Sequence, residues 1–361
     1  MSILNVMWAG GTAFASVQKV HQQVLGSVDC GAAVHTWLLQ GGAQAGDGAL
    51  EWNLSSAQLK GRHLWALLLP RMRARFRRAL PQDVKVVLLD GVGVARVLLP
   101  VLKTVPEVRA VVLFHGMTRL RRTDRKLFEQ FSEARLTVAA VSQTLADSLQ
   151  RDLHRPVAVL RSAFDPSAFC AAMLSREQAR AQLGLAADNA PVLGAVGRLV
   201  GSKGFACLLD AFAAVTSRRP EARLVIIGEG TARAELEAQI EHLGLRGKVF
   251  MPGHLADAAT LYRAFDWVAI PSSEEGLGLI VQEAVMAGVP VLTSELAVFR
   301  EQLADAGWYA PADAVDAWTQ LLERAFSTSP HVAVAAQLAA LAPEQAWQDF
   351  TATARRLLSP R

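Results

Sequence analysis

The strongest constraint on this chain is an alternation, repeated twice, of short apolar runs with amphipathic stretches. In the first series ILNVMWA (3–9), AAVHTWLL (32–39), VKVVLLD (84–90), RAVVLFH (109–115), LTVAAVS (136–142) and VAVLRS (157–162) have the length and β-branched content of strands. The second series is APVLGAVG, ARLVIIGEG, KVFMPGH, WVAIPSS and VPVLTS, with helical stretches such as FACLLDAFAAVTSR and TARAELEAQIEHLGL between them. Strands apolar on both faces, each followed by a helix, predict parallel sheets covered on both sides. The expected fold class is therefore α/β, with two doubly wound, Rossmann-like domains facing each other across a cleft. The break falls near Phe164-Asp165-Pro166 and is followed by a polar helical stretch to Asn189. It divides the chain into 1–163, joined by a C-terminal helix over 344–361, and 164–343. Trp347, Phe350 and Leu357 are spaced for one face of that helix, which is expected to pack back across the first domain.

Composition agrees with this picture. A length of 361 residues allows two domains, each with its own core, and 52% hydrophobic with 19% charged residues describes a globular chain. Cys30, Cys170 and Cys207 are scattered without metal-ligand spacing, which fits a reducing compartment. No run reaches the ~18–20 apolar residues of a membrane span, and MSILNVMWAGG lacks the basic flank of a signal peptide. A cytoplasmic location is expected. The net charge of +4 is unevenly placed: no acid occurs between Trp52 and Gln82, while Lys60, Arg62, Arg71, Arg73, Arg75, Arg77 and Arg78 accumulate there. PRMRARFRRAL reads as a helix opening at Pro70, with Met72, Phe76, Ala79 and Leu80 on one stripe and arginines elsewhere. Arg119, Arg121, Arg122, Arg125 and Lys126 form a second basic cluster. Two readings stand: a peripheral contact with an anionic membrane or acceptor, or a solvated face whose stripe packs on the core. No nucleic-acid partner is expected.

In open α/β sheets ligands bind beyond the carboxyl ends of the strands, so those loops carry the chemistry. Gly197-Arg198-Leu199-Val200-Gly201-Ser202-Lys203-Gly204 follows a strand and leads into a helix. Arg198 and Lys203 there, with the amides of a helix N-terminus, suit an anion, although the order is neither a Walker loop nor GxGxxG. An ordinary loop with two exposed cations is the plain alternative. Ile227-Gly228-Glu229-Gly230 and Pro252-Gly253-His254 end the next two strands; a lone GxG is weak, and His254 alone reads as a surface or capping residue. In SSEEGLGLIVQE (272–283), Gly276 and Gly278 permit unusual backbone angles, and Leu277 to Leu279 open a helix. Glu275 precedes that helix and Glu283 lies about one turn inside it. Carboxylates accept hydrogen bonds from hydroxyls while the amides and cations take phosphate. A sugar nucleotide offers both.

GRLVGSKG, IIGEG, VFMPGH and especially PSSEEGLGLIVQEAVMAGVPVLTS resemble, in order and spacing over roughly 192–295, the C-terminal domain of the retaining GT-B glycosyltransferases of the family 4 type. The N-terminal half resembles them more loosely, through Gly10-Gly11 and His115-Gly116. The resemblance implies a GT-B fold with an acceptor-binding N-terminal domain and a nucleotide-sugar-binding C-terminal domain. It implies Arg198 and Lys203 on the donor diphosphate, Glu275 on the donor sugar and Glu283 on the ribose hydroxyls. Gly253 and His254 would border the base, Gly10 and Gly11 the donor phosphates and acceptor, and His115 the donor sugar at the reaction centre. Gly276, Leu277, Gly278 and Leu279 complete the donor set. Three departures are visible: Leu277 replaces the usual aromatic, LRSAFDP replaces the interdomain turn, and VKVVLLDG ends in Asp90 where many relatives carry histidine.

The expected reaction is transfer of a hexose from a nucleotide diphosphate sugar, with a UDP-hexose as the default donor, to an anionic glycan or glycolipid such as a lipopolysaccharide core. No metal ligands and no cofactor are expected, because Arg198, Lys203 and the amides meet the leaving charge and no D-x-D pair occurs. Front-side attack by the acceptor is favoured over a carboxylate nucleophile. The competing functions are a sugar-nucleotide epimerase, a disaccharide phosphorylase, or a non-catalytic nucleotide-binding subunit.

Overall fold

The computed structural model describes residues 2–9, 15–28, 32–41, 49–60, 65–186, 188 and 190–359. The chain divides into two compact units, one formed by Met1–Ser162 with Gln348–Arg361 and the other by Ala163–Trp347. Among the described residues the first unit holds strands β1 (Ser2–Ala9), β2 (Ala33–Gln40), β3 (Leu50–Glu51), β4 (Val84–Asp90), β5 (Arg109–Phe114), β6 (Leu136–Ala140) and β7 (Val157–Val159). They form one parallel sheet in the order β3-β2-β1-β4-β5-β6-β7. The second unit holds β8 (Val192–Val196), β9 (Arg223–Ile227), β10 (Val249–Gly253), β11 (Trp267–Ile270), β12 (Val291–Ser294) and β13 (Trp308–Ala310). Its parallel order is β10-β9-β8-β11-β12-β13. The order reverses between β1 and β4 in one sheet and between β8 and β11 in the other, and such reversals open a crevice beyond the strand ends.

The strand centres are almost completely buried, as apolar runs flanked by helices require. Two short strands, β3 and β13, were not legible as strands, because edge segments this short carry no periodicity. Other predicted runs are trimmed: VAVLRS is strand only to Val159, and LTVAAVS ends at Ala140 because Ser142 caps the next helix by accepting from the Leu145 amide. In the second unit the amino ends of the strands are closed by charge. Asp266 accepts from the Val192 amide at 2.8 Å, from Arg176 at 2.7 Å and from Arg180 at 3.2 Å. The carboxyl ends carry the loops of interest.

Those loops are set by close backbone approach. Gly204, at the start of the Phe205–Thr216 helix, has φ +67°, and a Cβ there would lie 2.1 Å from the Pro271 carbonyl oxygen. A Cβ on Gly228 would meet the Gly197 carbonyl oxygen at 1.8 Å, and one on Gly230 the Leu199 carbonyl oxygen at 2.2 Å. The glycines of Gly228-Glu229-Gly230 thus let the strand-end loop of β9 pack on that of β8.

In the first unit, the helix predicted to open at Pro70 runs from Trp65 to Ala79, with Pro70 inside it. Pro70 lies past the first turn, so its missing amide hydrogen removes one bond from the helical ladder. Phe76 is fully buried against Trp52 and Trp37, with ring centroids 4.3 and 6.0 Å away, so the stripe does pack on the core. Leu67 nevertheless remains 76% exposed. The C-terminal helix spans Pro343–Leu358, and Phe350, Ala354, Leu357 and Leu358 are buried. Arg109 donates to the carbonyls of Leu357 and Ser359, satisfying groups at its end, and Arg355 donates to the carbonyl of Ser27. Replacement of Gly204 by alanine combines a left-handed φ with a backbone clash and should cost about 2 kcal/mol or more. Thermal denaturation of Gly204→Ala should show a midpoint several degrees lower; an unchanged midpoint would mean that the loop relaxes freely.

Candidate functional site

The second unit brings its predicted residues together at the reversal between β8 and β11. The β8 loop is held by Leu199 N–H on the Glu229 carbonyl and Ser273 N–H on the Ser202 carbonyl, both at 2.9 Å. This places Lys203 against the turn after β11, where its ammonium pairs with Glu275. Ser272, almost wholly buried, donates to the same Glu275 oxygen at 3.0 Å. The two partners of the ion pair are 15% and 12% exposed, a depth at which desolvation offsets much of the attraction. The pair therefore orients its side chains more than it stabilises the fold. Arg198 is exposed at the other end of the loop, without a side-chain partner among the described residues.

Gly278 takes φ +78° immediately before the Leu279–Met286 helix, and its missing side chain admits the Phe299 ring, 2.6 Å from where a Cβ would stand. Leu277 is buried and its carbonyl accepts from Gln302, so this residue serves packing. Gly276 is half-buried between Glu275 and Leu277. Inside the helix, Glu283 accepts a hydrogen bond from the hydroxyl of the fully buried Tyr262 at 3.0 Å. Burial first, and the nearby Glu283 second, push the Tyr262 phenol well above its ordinary range, so it stays a donor. Gly253 has φ +89° and its carbonyl accepts from Gly228 N–H at 2.9 Å; His254, just beyond it, is exposed. Gly10 and Gly11 lie outside the described residues, as does Cys30.

In the first unit, His115 follows β5 beside the reversal between β1 and β4. It does not stand alone. Asn5 Oδ1 accepts from His21 Nδ1–H at 2.6 Å, and the Nε2 atoms of His21 and His115 lie 3.0 Å apart. An amide oxygen only accepts, so His21 carries its proton on Nδ1 and receives one from His115 Nε2. His115 Nδ1 is then a bare acceptor. Asp90, at the end of β4, accepts the Trp8 amide on Oδ2 at 3.1 Å and places Oδ1 3.8 Å from His115 Nε2. Burial lowers His115 to about 4 and His21 well below the usual histidine range, the neighbouring ring adding to the latter. Burial raises Asp90 to about 6, against the lowering pull of the Trp8 amide. At neutral pH the contact is a carboxylate beside a neutral imidazole, not an ion pair.

Residues 175–340 match the family model of the group 1 glycosyl transferases. The 2-deoxystreptamine glucosyltransferase of Streptomyces kanamyceticus is 28% identical over 234 residues, covering 60% of this chain and 60% of that protein. The chain thus spans about three fifths of that relative's length. Among solved structures, HepE of Anabaena in complex with UDP and glucose superposes with a TM-score of 0.77 at 20% identity, covering 99% of this chain and 97% of that one. WaaG, a glycosyltransferase involved in lipopolysaccharide biosynthesis, gives 0.77 at 17% identity over 99% of this chain and all of that one, 100%. The fold is GT-B, built on two parallel sheets.

Sequence reading missed Asn5, His21, Ser272 and Tyr262 as contributors. Ser272 stands inside the quoted motif and was within reach. Tyr262, in a 3-10 segment before β11, and His21, on a helix face, carry no local signal. A proton NMR titration of the His115 ring should give a midpoint near pH 4; a midpoint above 6 would mean that the Asp90 carboxylate outweighs burial. The sign follows from linkage: with its folded pKa depressed, neutral His115 contributes stability that is lost as pH falls from about 6.5 through 4. Asp90, raised, has the opposite slope between about 4 and 6, so the ring itself is the cleaner readout.

Proposed function

We propose that the protein is a retaining glycosyltransferase that moves a hexose from a nucleoside diphosphate sugar to a glycan or glycolipid acceptor. The observation that carries the reading is the Lys203–Glu275–Ser272 cluster at the β8/β11 reversal, one turn of chain from a helix N-terminus. Lys203, at present on a carboxylate, can exchange it for the more highly charged diphosphate, with Arg198 as the second cation. Glu275, released from Lys203 but still held by Ser272, then accepts from hydroxyls of the transferred sugar. Glu283, oriented by Tyr262, accepts from the ribose hydroxyls. Gly253 and His254 border the base, and the glycine-permitted turn from Gly276 to Leu279 presents amides to the leaving phosphate.

Retention requires the anomeric carbon to become oxocarbenium-like as the diphosphate leaves, so stabilising the leaving charge dominates the barrier. In this reading the cations and amides do so without a metal ion on the diphosphate. His115, with a bare Nδ1, accepts from a sugar hydroxyl, and the acceptor attacks from the face of the departing phosphate. Gly10 and Gly11 are assigned to the same donor and acceptor contacts on the resemblance alone.

A thermal-shift panel of nucleotide sugars identifies the donor by the stabilisation that binding brings. With that donor, turnover should be independent of inorganic phosphate and the product should keep the anomeric configuration of the donor. Lys203→Ala should lower kcat about 10²-fold or more, equivalent to about 3 kcal/mol of transition-state stabilisation; full turnover in this variant would remove the phosphate role.

The acceptor is proposed to be anionic or membrane-borne, such as a lipopolysaccharide core. What supports this is the Trp65–Ala79 helix, with Arg71, Arg75, Arg77 and Arg78 exposed beside Leu67 and Leu68. No helix among the described residues is long and apolar enough to cross a membrane, so any contact of this helix with lipid would be peripheral. In a pelleting assay at low salt the protein should be retained by anionic vesicles and released by salt, with retention reduced in Arg71→Gln/Arg75→Gln/Arg78→Gln; equal recovery with neutral vesicles would sink the electrostatic reading.

A further inference from the structure

We propose that Nε2 of His21, Nε2 of His115 and Oδ1 of Asp90 form a binding site for one divalent transition-metal ion of the zinc or cobalt type. The inference rests on residues of the first unit and shares His115 with the proposed donor site: with an ion on Nε2, the ring would meet a sugar hydroxyl with a protonated Nδ1 that donates, where the metal-free ring accepts. The three atoms lie within 4.8 Å of one another, with the two nitrogens 3.0 Å apart and the carboxylate oxygen 3.8 Å from His115. Ligands about 2.1 Å from a tetrahedral ion stand roughly 3.4 Å apart, so the nitrogens open slightly and Asp90 closes by a side-chain movement.

Three further features point to a cation. The outer atoms of two ligands are already oriented, His21 Nδ1–H by Asn5 Oδ1 and Asp90 Oδ2 by the Trp8 amide. That is the arrangement by which outer partners aim imidazole and carboxylate ligands at a metal. Asp90 is also a largely buried carboxylate whose partners among the described residues are an amide and a neutral ring, with no lysine or arginine on it. Buried charges are otherwise paired or coordinated. Finally, the ligands come from three elements, the helix Ala15–Gly26 and the carboxyl ends of β4 and β5, so an ion would bridge the sheet at its own reversal.

Binding exchanges one hydrogen bond for coordination. The proton on His115 Nε2 is given up and Nδ1 takes one from water, leaving both rings neutral and both Nε2 lone pairs on the ion. Two imidazoles and one carboxylate leave a coordination position for water or an oxygen ligand, and this donor set suits zinc, cobalt or nickel better than magnesium or calcium.

The experiment uses untagged, chelator-treated full-length protein, titrated with Zn2+ and separately with Co2+. We expect one equivalent bound per chain, a raised thermal midpoint, and intense visible d–d bands from a low-coordinate Co2+ with nitrogen ligands. Asp90→Asn and His115→Gln, near-isosteric changes at side chains 12% and 13% exposed, should weaken Zn2+ binding about 10-fold or more each while keeping the metal-free fold by circular dichroism. His21→Gln should do the same, and if it fails to fold the other two decide. Absence of stoichiometric binding overturns the proposal, as does binding that is unaffected in both Asp90→Asn and His115→Gln, which would place the ion on other histidines or cysteines.

Discussion

The parallel pairing of the strands, with its reversal between β1 and β4 and again between β8 and β11, is the constraint on which the rest depends. Parallel strands place every carboxyl end on one edge of the sheet, and a reversal sends adjacent connections to opposite faces, leaving a gap between them. In each unit the polar groups singled out here stand at that gap. The opposite edge of the second sheet shows the contrast: Asp266 ties Val192, Arg176 and Arg180 together, so those charges are satisfied internally.

The two reversals solve different electrostatic problems. In the second unit, Lys203 and Glu275 neutralise each other and Arg198 remains exposed, which is the basis for proposing that the loop takes an anion by partner exchange. In the first unit, burial keeps both imidazoles neutral and a carboxylate sits beside them without a cationic side chain, which suits a cation. Close packing makes both arrangements specific. Gly204, Gly228 and Gly230 let backbone touch backbone, so the side chains that project from these loops have little freedom to wander.

Much of the fold was legible because strand length and helical periodicity are local properties. The strands from β8 to β12 coincide closely with their apolar runs, and the loops between them carry the recognisable residues. What was lost was either too short for a period, as with β3 and β13, or decided by a cap, as at Ser142. The start of the Trp65–Ala79 helix was misplaced because proline usually marks a first helical position, whereas here the helix begins ahead of it and runs through Pro70. Of the candidate site, Arg198, Lys203, Glu275 and Glu283 could be named from spacing, but their partners could not. Tyr262 reaches Glu283 from a segment twenty-odd residues earlier, and no pattern in the chain links the two.

The sequence by itself determined the α/β class, the two series of strands and the acids, cations and glycines that line the strand ends, since each follows from composition over a few consecutive residues. Tertiary structure alone decided which of them meet. Lys203 was read as a free cation and is paired with Glu275; His115 was read as a single histidine and is one end of a chain through His21 to Asn5, with Asp90 alongside. Those partners come from neighbouring strands and the helices that follow them, far apart in the chain. Their protonation states depend on burial, which exists only once the sheets are covered.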